Sequence, residues 1–172
     1  AQPVRVATVI EAADAGWWYA GRLPGGRVVA AFLTDPDLLP SGRDRLPGYF
    51  AAALARTGLV AREWADVVGP ATLRVARAGT GRILCPAGPG WLAVGDAAMA
   101  FDPLSGHGIA AALGSGLRAA AVVDRMLSGD ATAHVEHARA SDAAYDAQLR
   151  LREHYYGQEH RRTPFWLRRR LC

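Results

Sequence analysis

The residues best placed to do chemistry lie within one short stretch. It runs Trp91-Leu92-Ala93-Val94, then Gly95-Asp96, then a loop through Asp102-Pro103-Leu104-Ser105 to Gly106-His107-Gly108 and Ile109. An apolar run bounded by turn residues predicts a buried strand, and the Ala/Leu-rich sequence after Gly106 predicts a helix. The order is therefore strand, carboxylate, loop, glycine pair, helix N-terminus. A carboxylate just past a strand can accept hydrogen bonds from sugar-like hydroxyls. Gly106 and Gly108 let a flat ligand approach the backbone closely. The free N–H groups of the first helical turn suit an acceptor or a negative charge. His107 could hydrogen-bond such a ligand or donate a proton, since an imidazole titrates near neutral pH; the alternative is that only its backbone matters.

Other groupings carry less. Asp102 before Pro103 is either a turn residue that fixes the loop or a polar group near a substrate. Ser105 and Ser115 lack the Gly-x-Ser-x-Gly elbow of a nucleophilic hydrolase. His134, Glu136 and His137 share helical spacing, but no third ligand follows at a recognisable interval, so they predict a solvated helix face and no metal site. Gly106-His107-Gly108-Ile109-Ala110-Ala111 fits Gly-x-Gly-x-x-Ala, yet roughly ten residues separate it from the strand, whereas a dinucleotide fingerprint occupies the tight turn directly after its strand.

The elements that must position this stretch follow from turn residues and periodicity. Val4 to Glu11, Trp17 to Arg22 and Arg27 to Thr34, separated by Asp14-Ala15-Gly16 and Pro24-Gly25-Gly26, predict a three-stranded antiparallel meander. Asp44 to Arg56 has helical spacing and stops at Gly58. A further strand is predicted at Thr72 to Ala78. After the Gly106 helix, which ends near Ser128-Gly129, a more polar helix spans about 131 to 156, and a short one follows Pro164.

With 172 residues, 51% of them apolar, the chain can bury one sizeable core. The longest weakly polar run, Gly108 to Val123, includes Arg118 and is shorter than the roughly 20 residues a membrane span needs. Cys85 and Cys172 form neither a disulfide framework nor a zinc pattern, and no secretory signal is read at Ala1, so a cytoplasmic fragment or processed chain is expected. All 20 basic residues are Arg, which removes lysine chemistry. Seven of them fall between Arg150 and Cys172, without a nucleic-acid-binding motif, and read as a solvated tail or a patch for an acidic carrier or partner.

The segment from Gly95 to Ile109 resembles the second FAD-binding motif of the flavoprotein family that holds aromatic hydroxylases, tryptophan halogenase-like enzymes and geranylgeranyl reductases. Gly16-Trp17-Trp18-Tyr19 with Leu23-Pro24-Gly25-Gly26-Arg27 is similar to the substrate-domain sheet of its halogenase-like members. The resemblance implies an α+β chain that is part of an FAD/NAD(P)-binding α/β fold: an antiparallel substrate-domain sheet, then the flavin-loop strand and C-terminal helices. The divisions expected are 1–78 for sheet and peripheral helix, 79–128 for the C-terminal part of the FAD-binding domain, and 129–172 for the last helices. It implies FAD as cofactor, with Asp96 on the ribityl hydroxyls, Pro103 beside the isoalloxazine, and the backbone at Gly106, His107 and Gly108 facing the pyrimidine edge. Gly95, Ser105 and Ile109 complete that set, His107 is the catalytic candidate, and Trp17 and Tyr19 are expected on one sheet face lining a substrate pocket. The small residues Ala111, Gly114 and Ala119 are expected to pack behind the motif.

In that family an N-terminal βαβ unit with Gly-x-Gly-x-x-Gly holds the ADP moiety, and none precedes Val4. The chain is therefore expected to need such a half and to be inactive alone. Flavin halogenases carry Trp-x-Trp-x-Ile-Pro, a lysine from the N-terminal half, and a glutamate shortly after the loop proline; here Trp17-Trp18-Tyr19 breaks the spacing and Ser105 stands where the glutamate would. The expected activity is thus hydroxylation of a small-molecule, carrier-tethered or protein-tethered substrate, in which reduced flavin reacts with oxygen and the protein supplies positioning and a dry pocket. Halogenation and isoprenoid reduction are the enzymatic alternatives. A non-catalytic maturation or scaffold protein is the alternative of another class.

Overall fold

The computed structural model describes residues 8–64 and 72–170. It combines helices with small antiparallel sheets and divides into two compact units. Unit 1 comprises Ala1–Val75 together with Glu159–Cys172, and unit 2 is Ala76–Gln158.

Unit 1 is built on a three-stranded meander, β1 (Thr8–Ala13), β2 (Gly16–Arg22) and β3 (Val28–Leu33), in the order β1-β2-β3; residues 4–7 of the predicted first strand lie outside the described residues. The register sets Trp18 opposite both Glu11 and Phe32, and Ala20 opposite Val9 and Ala30. That face is buried by α1 (Leu46–Leu54) and α2 (Leu59–Trp64), through Phe50, Leu54 and Val60. Trp18 is 0% exposed, with its ring stacked on Phe32 at 4.7 Å and meeting Phe50 edge-on at 4.9 Å. Its indole N–H has no hydrogen-bond partner among the described residues. Leaving such a donor unmade costs about 1–3 kcal/mol, whereas burying roughly 200 Å² of aromatic surface contributes about 5 kcal/mol. The ring's burial wins.

Glu11 occupies the same inner face, and α2 explains a carboxylate there. Its two oxygens accept from the N–H groups of Gly58, Leu59 and Val60 at 2.6, 2.9 and 2.9 Å. The Thr57 hydroxyl oxygen accepts from Ala61 N–H at 2.8 Å. Strand and loop together thus satisfy N–H groups in the first turn of this six-residue helix.

The Arg-rich segment ends in a docked element, α5 (Pro164–Arg170), instead of the solvated tail its composition suggests. Phe165 and Trp166 are buried, Trp166 Nε1–H donates to the Ala13 carbonyl at 2.8 Å, and the Thr163 hydroxyl donates to the Asp14 carbonyl. Arg168 pairs with Asp35 and Asp37 at 3.1 and 2.6 Å, and Arg169 with Asp35 at 2.7 Å. Arg161 pairs with Glu159 at 2.6 Å. These partners lie up to 134 residues away, out of reach of a local charge count.

Unit 2 has two short ladders, β4 (Gly81–Arg82) with β7 (Met99–Ala100) and β5 (Ala87–Gly88) with β6 (Trp91–Leu92). The predicted strand at 72–78 is not formed: its residues are irregular, and none of the described strands pairs with them. The predicted buried strand at 91–94 reduces to two paired residues with Trp91 exposed, because only one neighbour offers a ladder. Two long helices follow, α3 (Gly108–Leu127) and α4 (Ala133–Gly157). Their corner is clasped by Arg125, which pairs with Asp130 and Glu136, each at 2.5 Å.

Candidate functional site

The Gly95-Asp96 turn and the start of α3 lie against each other. Residues Gly95–Ala97 form a 3-10 turn in which Gly95 has φ +54. A Cβ added there would stand 3.1 Å from the Ala112 Cβ, and Gly95 N–H donates to Ser115 Oγ at 3.0 Å. Small side chains on α3 are what permit this approach. They are Ala112 and Ser115, next to the expected Ala111 and Gly114. The turn leaves Asp96 exposed, with no ring, ion-pair or hydrogen-bond contact to its carboxylate among the described residues.

The loop reaches α3 through a second 3-10 turn, Pro103–Ser105, followed by Gly106 at φ +65. A residue with a Cβ rarely adopts that left-handed conformation. Gly106 N–H donates to Pro103 O at 3.0 Å, and the chain then enters α3 at Gly108. No described side chain caps α3, so its first N–H groups remain available. Pro103, Gly106, His107, Gly108 and Ile109 are exposed, and Ser105 is half-buried, with its Oγ at 3.5 Å from the His107 N–H. One short segment thus carries a carboxylate without a described partner, a left-handed glycine and an uncapped helix start, with the Gly95 turn held against Ala112 and Ser115 of that helix. They fit a ligand with hydroxyls at one end and a flat acceptor edge at the other.

Behind this loop runs α4, and sequence reasoning did not foresee its part. Asp102 Oδ1 accepts from Leu104 N–H at 3.0 Å, Asp102 N–H donates to Thr80 Oγ1 at 3.0 Å, and Tyr156 O–H donates to Asp102 Oδ2 at 2.6 Å. Asp102 is thus the turn residue of its two alternatives, held in addition by a buried tyrosine. Further along α4, Tyr145 lies against Phe101 and beneath the Arg82 guanidinium, and Arg82 pairs with Asp142 at 2.5 Å. His137 is buried, with Nε2 at 3.0 Å from Ala93 O. A carbonyl can only accept, so Nε2 carries the proton. The predicted solvated face of His134, Glu136 and His137 is corrected accordingly: Glu136 serves the Arg125 clasp and His137 anchors the segment that leads into Gly95. Its burial, together with that of Ala133, shows in the structure and not in the spacing.

Trp17 and Tyr19 belong to unit 1 and share a β2 face. Trp17 is 2% exposed and Tyr19 39%. A cleft of about 410 Å³ in the same unit is lined instead by Trp18, Phe32, Tyr49, Arg56 and residues of the β1–β2 turn. Among the described residues no cluster of His, Cys, Asp or Glu could hold a metal ion, and no helix is long and apolar enough to cross a membrane.

Comparison with known proteins points to one class, the flavin-dependent oxidoreductases. The chain is 32% identical over 108 residues to a protein of Marinomonas mediterranea described as FAD-dependent oxidoreductase LodB, a match covering 62% of this chain and 29% of LodB. It is also similar in structure, with TM-score 0.87 and 33% identity over 98% of this chain, to QhpG, a peptidyl tryptophan dihydroxylase essential for tryptophylquinone cofactor biogenesis. The chain spans 41% of QhpG, so well under half of either relative. The sequence matches no family profile.

Proposed function

We propose that this chain is the part of an FAD-dependent monooxygenase that positions the flavin ring against an organic substrate for hydroxylation. The observation that carries it is the Gly95–Asp96 turn packed on Ala112 and Ser115 of α3, a helix whose start is uncapped, in a chain that resembles part of a dihydroxylase over 98% of its own length. Bound FAD would supply the oxygen-activating redox chemistry. The residues here would hold it: Asp96 accepting from the ribityl hydroxyls, Pro103 and Ser105 flanking the ring, and the N–H groups near Gly106, His107, Gly108 and Ile109 facing its acceptor edge. His107 is exposed beside them and is the candidate proton donor. Substrate contact falls to the sheet unit through Tyr19, with Trp17 behind it on the same face. The likeness to QhpG favours an aromatic residue within a peptide over a free small molecule.

The ADP end of FAD requires a further half. A face of α3 with Ile109, Leu113, Leu117 and Leu127 strongly exposed is the surface that half would cover. The reading is tested by FAD retention in the intact protein. Asp96→Ala should weaken binding by roughly 1.5–3 kcal/mol, one charge-assisted hydrogen bond, without loss of stability, because Asp96 is exposed. Unchanged affinity removes the assignment.

A further inference from the structure

We infer that Tyr156 and Asp102 are positioning residues of the flavin loop, forming a latch that sets how the loop and the start of α3 meet the ring. The inference rests on the proposed function. Asp102 is fixed at three points: by Thr80 at its N–H, by Leu104 at Oδ1 and by Tyr156 at Oδ2. The first two fix the turn on itself and on the preceding segment. The third spans 54 residues and ties the loop to α4. Tyr156 cannot swing away, because it is 1% exposed and the Arg152 guanidinium lies over its ring at 5.3 Å. α4 is itself anchored to unit 2 at His137, Asp142 and Tyr145. The hydroxyl of Tyr156 is therefore the last fixed point of a rail, and the atom it holds belongs to the residue next to Pro103. Pro103 to Gly106 is a single hydrogen-bonded turn leading into α3, so a shift at Asp102 carries to the N–H groups that face the ring.

Tyr156→Phe removes only the hydroxyl and leaves the buried ring in place. In the intact protein it should raise the FAD dissociation constant about tenfold, the worth of one hydrogen bond to a charged group. It should also shift the visible bands and the reduction potential of the FAD that remains bound. Asp102→Ala should do the same, and adding Tyr156→Phe to it should change nothing more, because the two act as one unit. Asp102→Asn should restore most of the affinity, since its amide can still bridge Leu104 N–H and the Tyr156 oxygen. Exchange of the Leu104 and Gly106 amides should quicken in Tyr156→Phe whether or not FAD is present. If the wild-type protein fails to bind FAD, the flavin reading falls while amide exchange still decides the latch. If FAD binds with the same affinity, spectrum and amide protection in Tyr156→Phe, the latch is wrong and the flavin reading stands.

Discussion

Gly95→Ala probes the contact between the turn that presents Asp96 and the Ala112 position of α3. Two costs can be separated. At φ +54 a residue with a Cβ is strained by about 1–2 kcal/mol. The new methyl would also stand 3.1 Å from the Ala112 Cβ and 3.6 Å from its Cα, where carbon atoms prefer about 3.5–4.0 Å. Relieving that overlap requires turn or helix to give by a few tenths of an ångström, at the low end of the roughly 1–3 kcal/mol that overpacking costs. The sum is about 2–3 kcal/mol. Ala112→Gly removes the contact but not the strain, at a helix-interior cost of about 1 kcal/mol. In the double variant, Gly95→Ala should therefore cost only about 1–2 kcal/mol. Urea unfolding of the four proteins measures the stabilities, and FAD retention should fall in Gly95→Ala and recover in part in the double variant. A Gly95→Ala protein as stable as wild type, or strictly additive variants, would refute the packing argument.

Two further outcomes are expected in unit 1. Glu11→Ala should cost about 0.5–2 kcal/mol, as for loss of a helix cap, and should speed exchange of the Gly58, Leu59 and Val60 amides; unchanged protection would show that the strand carboxylate does not cap α2. The hydrogen bond from Arg169, aided by the Arg168 and Arg169 charges, holds the Asp35 carboxyl below its usual range. A depressed carboxylate stabilises the fold above its unfolded-state value near roughly pH 4 and ceases to do so as pH falls through its folded value. Asp35→Asn should thus be less stable than wild type at neutral pH, and the difference should shrink as pH drops below about 4; a difference independent of pH would mean that the pairing contributes nothing.

Much of the framework was legible because its signals are local. Asp14-Ala15-Gly16 and Pro24-Gly25-Gly26 mark both meander turns, and Ser128-Gly129 and Pro164 bound helices where the structure has them. The order of turn, loop, glycine and helix at 95–108 was legible for the same reason. The rest depends on partners distant in sequence. The predicted strand from Thr72 to Ala78 remains irregular because a strand needs a neighbour, and propensity alone does not supply one. Trp17 and Trp18 are adjacent and alike in type, and only the register decides that Trp18 faces α1 and α2. The arginines of α5 looked solvated because Asp35 and Asp37 lie more than a hundred residues before them. Tyr156 stands beside a second tyrosine near the end of α4, and its link to Asp102 closes over 54 residues.

The division of the chain into units also orders its synthesis. Residues 76–158 form an uninterrupted unit, whereas the sheet unit is completed by residues from both sides of it. The ties of Thr163, Trp166 and Arg168 to residues 14, 13 and 37 cannot form until residues 163–168 have been translated. A nascent chain emerges N-terminus first, so residues 76–158 can reach their contacts while the meander still waits for α5. Every ribosome that stalls shortly before Pro164 therefore releases a chain whose sheet lacks its closing helix.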